Sequence, residues 1–284
     1  MKLRRYTDAN EYQADVLDFL LEDEVRNNLP ISILVDGTRN NIADWLMATV
    51  TDDFGSVLLV VLCTKPFPLL ICKRENVLDN SSVVFLAKEL RRIGFEPPGI
   101  LAIDELAGCF AETYCGGTTI SSRLHMTMVL MRLDRLSEYK KASGFCRMLQ
   151  FEDLSYTPAW ENAFCVECRV PIYTLTESEE RIKKRLGMNV HYIWEDGKPV
   201  AQAVFGRNTP NGAAISWVYT PSEFRGFGYA TSVVAELSKN ILEGGKSFCC
   251  LFADASNPAS CAVYHKLGYY DICKFSEIKF DMEY

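Results

Sequence analysis

Residues Ala213 to Thr220 are β-branched, small and aromatic, and read as a buried strand. Val233, Val234, Leu237, Ile241 and Leu242 then recur at helical spacing until Gly244-Gly245 stops the pattern. Between strand and helix stands Arg225-Gly226-Phe227-Gly228-Tyr229-Ala230. A buried strand passing through a two-glycine turn into an amphipathic helix calls for a β-α-β crossover with parallel strands. It also leaves main-chain N–H groups free at the helix start, where the helix dipole adds positive potential. Two glycines let a bulky phosphate approach that backbone. The turn is therefore either a plain connection or the seat of a phosphate-bearing cofactor.

Two familiar phosphate loops do not fit. The dinucleotide fingerprint needs a third small residue where Thr231 stands, and no Gly-Lys-Ser/Thr triplet completes a P-loop. What stands is Arg-x-x-Gly-x-Ala. Downstream, Ser247 to Asp254 reads as the next buried strand, and Asn257-Pro258 is an N-cap with proline at the first helical position. The helix so opened runs through Tyr264 and stops near Gly268, ahead of Tyr269. The first motif resembles the acyl-CoA pyrophosphate loop of the GCN5-related N-acetyltransferase (GNAT) superfamily. The second resembles that superfamily's Asn-x-x-Ser/Ala-x-x-x-Tyr-x-x-x-Gly-Phe/Tyr pattern. The resemblance covers roughly the last half of the chain, as in two-domain bacterial-type acetyltransferases with a C-terminal FR47-like catalytic domain.

The 284 residues suit about two domains, and 48% apolar residues can fill two cores. A net charge of −7 argues against a nucleic-acid or anionic-membrane surface. No apolar run is long enough to span a bilayer, and the basic start Met1 to Asp8 has no apolar segment behind it to make a secretory signal. A cytoplasmic protein is expected. Its eleven cysteines are scattered, and only Cys165-Val166-Glu167-Cys168 has ligand-like spacing. No second pair answers it, so the cysteines read as reduced small hydrophobes and no metal is expected.

Element order suggests one architecture written twice. In the second half, helices at 151–163 and 178–186 precede strands at 190–195 and 199–205, joined by an Asp196-Gly197 hairpin turn. The motif strand, cofactor helix, next strand, Tyr264 helix and a last strand near Ile278-Phe280 follow. The first half reads nearly alike. A strand at Leu3-Tyr6 leads to a helix from Asp8 to Asn28 and another around Asn41-Trp45. Strands at 48–50, 57–63 and 69–73 follow, then a helix at 83–93, a strand at 100–103, a helix at 105–114 and a strand at 124–133. The expected fold class is α/β (α+β), with tandem GNAT-like folds and a mixed, mostly antiparallel sheet flanked by helices. Expected domains are 1–140 and 146–284, with a linker over Ser137-Gly144. After its strand at 69–73 the first half runs Arg74-Glu75-Asn76-Val77-Leu78-Asp79-Asn80, without glycine and with two carboxylates where an anion would dock. The N-terminal copy therefore reads as degenerate. Gly116-Gly117 follows a helix and reads as its stop.

The resemblance implies acetyl-CoA (coenzyme A) as cofactor, held by Val218, Thr220, Arg225, Gly226, Phe227, Gly228, Tyr229, Ala230, Thr231 and Asn257. Val218 and Thr220 would lend backbone groups to the pantetheine arm and the acetyl oxygen; Asn257 would touch the cofactor arm. Tyr264 matches the tyrosine that protonates the departing thiolate, a transfer between groups of similar basicity. No general base is singled out among Glu161, Glu167, Glu223 and Asp254. The implied activity is direct acetyl transfer, in a ternary complex, to a primary amine of a small or amino-acid-like substrate. An amino-acid N-acyltransferase using a bulkier acyl-CoA and a non-catalytic acyl-CoA sensor are the alternatives. No nucleic-acid or membrane partner is expected, and monomer or homodimer stays open.

Overall fold

The computed structural model describes residues 1–35, 44–75 and 79–281. The chain forms two compact units, Met1–Leu130 with Ile272–Tyr284, and Met131–Asp271. These bounds differ from 1–140 and 146–284 because the last strand of the chain pairs with a strand of the first half.

In the first unit, β1 (Lys2–Tyr6), β2 (Trp45–Thr51), β3 (Val57–Thr64) and β4 (Leu69–Cys72) pair antiparallel in sequence order. β4 then pairs parallel with β5 (Gly99–Ile103). The helices are α1 (Ala9–Leu21), α2 (Asn28–Val35), α3 (Ser81–Arg92) and α4 (Asp104–Cys115). The helix expected from Asp8 to Asn28 stops at Leu21, and a turn over 22–27 leads into α2. Asp8 caps α1 by accepting from the Asn10 and Glu11 amides, and the Asn27 side chain donates to the Leu20 carbonyl beyond its end. Pro30 sits in the first turn of α2, where it needs no amide partner. Of the second helix expected at Asn41-Trp45, residues 41–43 lie outside the described residues, and Trp45 opens β2. Alternate residues of β2 and β3 point to opposite faces, so Leu46, Ala48 and Val50 meet α3 and α4 while Met47 meets α1. β6 (Ser121–Leu133) follows α4, and β12 (Tyr270–Asp281) is far longer than the strand expected near Ile278-Phe280. β12 pairs antiparallel with β5 over Phe275–Lys279. Gly99 permits this approach, since a Cβ there would stand 2.5 Å from the Ile278 carbonyl oxygen.

In the second unit, β7 (Phe145–Met148), β8 (His191–Glu195), β9 (Pro199–Gly206) and β10 (Gly212–Tyr219) pair antiparallel, and β10 runs parallel to β11 (Phe248–Asp254). β7 escaped the sequence reading because four half-exposed residues carry no alternation. A 3₁₀ turn at Phe151–Ser155 leads into α5 (Thr157–Glu167), with Pro158 near its start. α6 (Leu175–Met188) begins at a capping box of Thr174 and Glu177 and ends at Asn189 in the left-handed conformation. α7 (Tyr229–Glu243) buries Val233, Val234, Leu237 and Ile241, and α8 (Pro258–Lys266) follows β11. The mixed, mostly antiparallel sheet with flanking helices is the expected fold class.

Candidate active site

Everything that follows lies in the second unit, around β10. Its parallel pairing with β11 lasts only from Gly212 to Ala214, opposite Phe248 to Cys250. Beyond Ala214 the two strands part. On its other edge β10 carries a bulge: Ser216 pairs with Val204 and Tyr219 with Gln202, so Trp217 and Val218 oppose the single residue Ala203. Trp217 has φ +54°, a left-handed conformation that costs a bulky residue about 1–3 kcal/mol. Its ring is wedged against Phe164 at 4.9 Å and under the Arg185 guanidinium at 4.6 Å, and this packing holds the bulge. Main-chain groups of Trp217 and Val218 thereby leave the ladder at the place where the strands separate.

Past Tyr219 the chain makes a short turn at Ser222–Phe224 and reaches the glycine loop. Gly226 and Gly228 have φ +87° and +84°, and a Cβ on Gly226 would meet nothing within 4 Å, so backbone is exposed there. Gly228 is the N-cap of α7, makes no side-chain cap, and is followed by a first turn without acidic residues. Among the described residues the earliest amide of this helix with a backbone partner is that of Ser232, bonded to the Gly228 carbonyl. The amides from Gly226 to Thr231 are thus available to an anion. The Thr220 hydroxyl oxygen is buried and has no hydrogen-bond partner among the described residues, which fits a group bound alongside. Together these features offer exposed main-chain donors, positive potential and a buried hydroxyl to an anionic group.

The other expected site residues occupy definite places. Arg225 donates from Nε to the Thr220 carbonyl at 2.9 Å and pairs with Glu167 at 2.6 Å, so its charge is partly matched by the protein. Phe227 is exposed and stacks on Tyr229, whose hydroxyl donates to Asp196 in the β8–β9 turn at 2.7 Å. Asn257 caps α8, its Oδ1 accepting from the Ser260 amide at 3.0 Å, which leaves its side-chain NH₂ free to donate elsewhere. Tyr264 is buried on α8, edge-on to Tyr269 at 6.0 Å. Burial pushes its phenol up to about 12, partly offset by a hydrogen bond with Ser260.

Three of the four carboxylates weighed as a base are committed elsewhere. Glu161 is fully buried and held by Arg181 at 2.9 Å and Arg185 at 2.6 Å; Glu167 holds Arg225; Asp254 accepts from the Ser256 amide and hydroxyl. Glu223 is exposed next to Ser222. Sequence reasoning missed the Glu161–Arg181–Arg185–Trp217 cluster. Its only sequence signal is two arginines four apart in a helix, which reads equally as a solvated face. Also missed was His191, fully buried with its ring nitrogen 3.2 Å from Gln202 Oε1 and its pKa lowered to about 3, chiefly by burial. Among the described residues no three His, Cys, Asp or Glu side chains gather to hold a metal ion, and no helix is long and apolar enough to cross a membrane.

A parallel pair that parts beside a bulge, followed by a glycine loop at an uncapped helix, is the core of the GNAT fold. The chain has that fold, and its residues 197–277 match the family model of FR47-like protein. Among solved structures it resembles a GNAT-family acetyltransferase from Colwellia psychrerythraea, at 10% identity and a TM-score of 0.64 over 99% of this chain and 100% of that one. It also resembles a GCN5-related N-acetyltransferase from Sphaerobacter thermophilus, at 14% identity and a TM-score of 0.66 over 98% and 95%. A third is a GCN5-related N-acetyltransferase from Kribbella flavida, at 14% identity and 0.56 over 98% and 96%. No curated protein matches the chain in sequence.

Proposed function

We propose that the second unit is an N-acetyltransferase that moves an acetyl group from acetyl-CoA to a primary amine of a small or amino-acid-like acceptor, directly within a ternary complex. The observation that carries this reading is the parting of β10 and β11 beside the Trp217–Val218 bulge, next to the amides of Gly226 to Thr231, which have no backbone partner among the described residues. Acetyl-CoA supplies the activated thioester. The glycine loop and the α7 dipole hold its pyrophosphate, Arg225 adds charge, and Thr220 and Asn257 satisfy polar groups of the arm. Amides released at the bulge stabilise negative charge on the acyl oxygen, in a position fixed before reaction.

Tyr264 Oη holds the proton that the leaving sulfur takes. With the phenol at about 12, proton transfer to an ordinary thiolate near 8.5 is uphill by about 4–5 kcal/mol. The same desolvation raises the basicity of a sulfur anion in that site and narrows the gap. The corresponding connection of the first unit, Arg74 to Asn80, contains no glycine. The start of its α3 is met by its own Asp79, whose carboxylate accepts from the Ser81 amide, and Lys73 donates to the Asp79 carbonyl. Residues 76–78 of that connection lie outside the described residues. We read this unit as a degenerate copy that binds no acyl-CoA. A panel of primary amines with acetyl-CoA, followed by thiol release, tests the assignment. Saturable, amine-dependent release is expected; CoA binding without release for any amine would leave a binding protein instead.

A further inference from the structure

Arg207 stands at the end of β9 with its guanidinium 5.8 Å from the ring centre of Phe252, and no ion pair reaches it among the described residues. Phe252 lies two residues beyond Cys250, the last residue of β11 paired with β10, and so just inside the opening between the parted strands. The guanidinium therefore lies against the stretch of β11 that has just left β10, near the point where the strands part. The acid-capable neighbour there is the Cys250 thiol, which burial pushes up to about 12 and keeps neutral. Protein packs around Arg207 and desolvation weighs against its charge, yet the residue as a whole is only partly shielded from solvent. A guanidinium does not deprotonate, so a desolvated, unmatched one is costly to keep.

The backbone adds a second observation. Arg207 has φ +44°, while the next residue, Asn208, belongs to a type that accepts the left-handed conformation more readily. The strain sits on the residue whose side chain lies over β11. By strand register, Val204, Ser216, Gly206 and Ala214 share one face with Gln202, whose side-chain NH₂ is fully buried and unpartnered. That face holds an orphaned donor, and the Arg207 charge acts on Cys250, which register sets beside Ala214. The other charged cluster of this unit, Arg181 and Arg185, is already engaged with Glu161.

We propose that Arg207 binds the carboxylate of the acceptor, so that the substrate class is amines bearing a carboxylate, as in a free amino acid. One planar guanidinium matches one carboxylate through two parallel hydrogen bonds; a phosphate dianion calls for more donors than this position offers. The proposal rests on the acyltransferase reading and specifies its acceptor.

The test uses the full chain with acetyl-CoA and matched acceptors, free amino acids against their carboxamides, with Arg207→Met and Arg207→Lys. The wild-type protein should favour the carboxylates. Arg207→Met should lower kcat/KM for them by about a hundredfold, mainly through KM, and leave carboxamides unchanged. Arg207→Lys should restore part of the loss. CoA affinity by calorimetry should be unchanged, and Tm equal or higher, because an unmatched charge has been removed. Carboxamides used as well as carboxylates, equal loss on both, or a lowered Tm without a change in discrimination would overturn the proposal and leave acetyl transfer standing. If no acceptor turns over, calorimetry of the amino acids against the CoA-bound protein decides: carboxylate binding that Arg207→Met abolishes supports the site, and no binding overturns it. Failure to bind CoA would instead defeat the acyltransferase reading itself.

Discussion

Tyr264 and His191 show how burial, the largest cause in each case, holds one titratable side chain protonated and the other neutral. Tyr264 keeps its proton throughout the neutral range, which a donor to a leaving sulfur must do. Tyr264→Phe should lower turnover roughly 10²–10⁴-fold with little change in CoA affinity. Single-turnover kinetics beside calorimetry separates this from packing, for which binding and rate would fall together. His191 is buried as a neutral ring with a pKa near 3 against about 6.5 when exposed. Between those values the unfolded chain binds the proton that the folded one refuses, so stability falls as pH drops below about 6.5, by up to about 1.4 kcal/mol per pH unit. Denaturation curves of wild type and His191→Asn should therefore converge on acidification from pH 6.5 to 4. A constant difference would show that His191 is not held neutral.

α5 and α6 are joined across a charge that neither could bury alone. Glu161 of α5 accepts from Arg181 and Arg185 of α6, and those guanidinium groups stack on Trp217 in β10. One ion cluster thus ties two helices to the strained bulge that the proposed oxyanion site needs. Glu161→Gln removes the negative charge that the two arginines share and leaves the buried Arg185 without its counter-charge. The expected cost is about 3–5 kcal/mol, read as a lower denaturation midpoint with unchanged slope. Loss of the near-ultraviolet signal of Trp217 should accompany it. A midpoint within the error of wild type would place the pair among surface ion pairs of little worth.

For the whole molecule, the proposed division of labour predicts stoichiometry. CoA titrated into the full chain should bind at one site per chain, and Gly228→Asp should abolish that binding while the fold survives. The substitution strains a left-handed position and sets a carboxylate at the α7 start, where it repels a pyrophosphate. Two equivalents bound, or one retained in the variant, would show a working site in the first unit. The intact chain is required, because β12 from its far end pairs with β5 and residues 1–130 alone lack that strand.

What the sequence determined by itself is what contiguous residues encode. The glycine loop, the uncapped start of α7, the Asn257-Pro258 cap of α8 and the Asp196-Gly197 turn each depend on one stretch of backbone and the residue types that permit it. The fold class followed from their order, since a buried strand, crossover helix and buried strand admit few arrangements. Only the tertiary structure decided the rest. The bulge at Trp217 exists because Phe164 and Arg185, distant in sequence, hold its ring; Glu161 is a tethered ion rather than a base because α6 folds beside it; β12 lies with the first unit because its edge pairs with β5. Arg207 has no mark in the sequence. Its lack of a counter-charge among the described residues is a property of what surrounds it, and a linear pattern of residues carries no record of neighbours that folding brings or withholds.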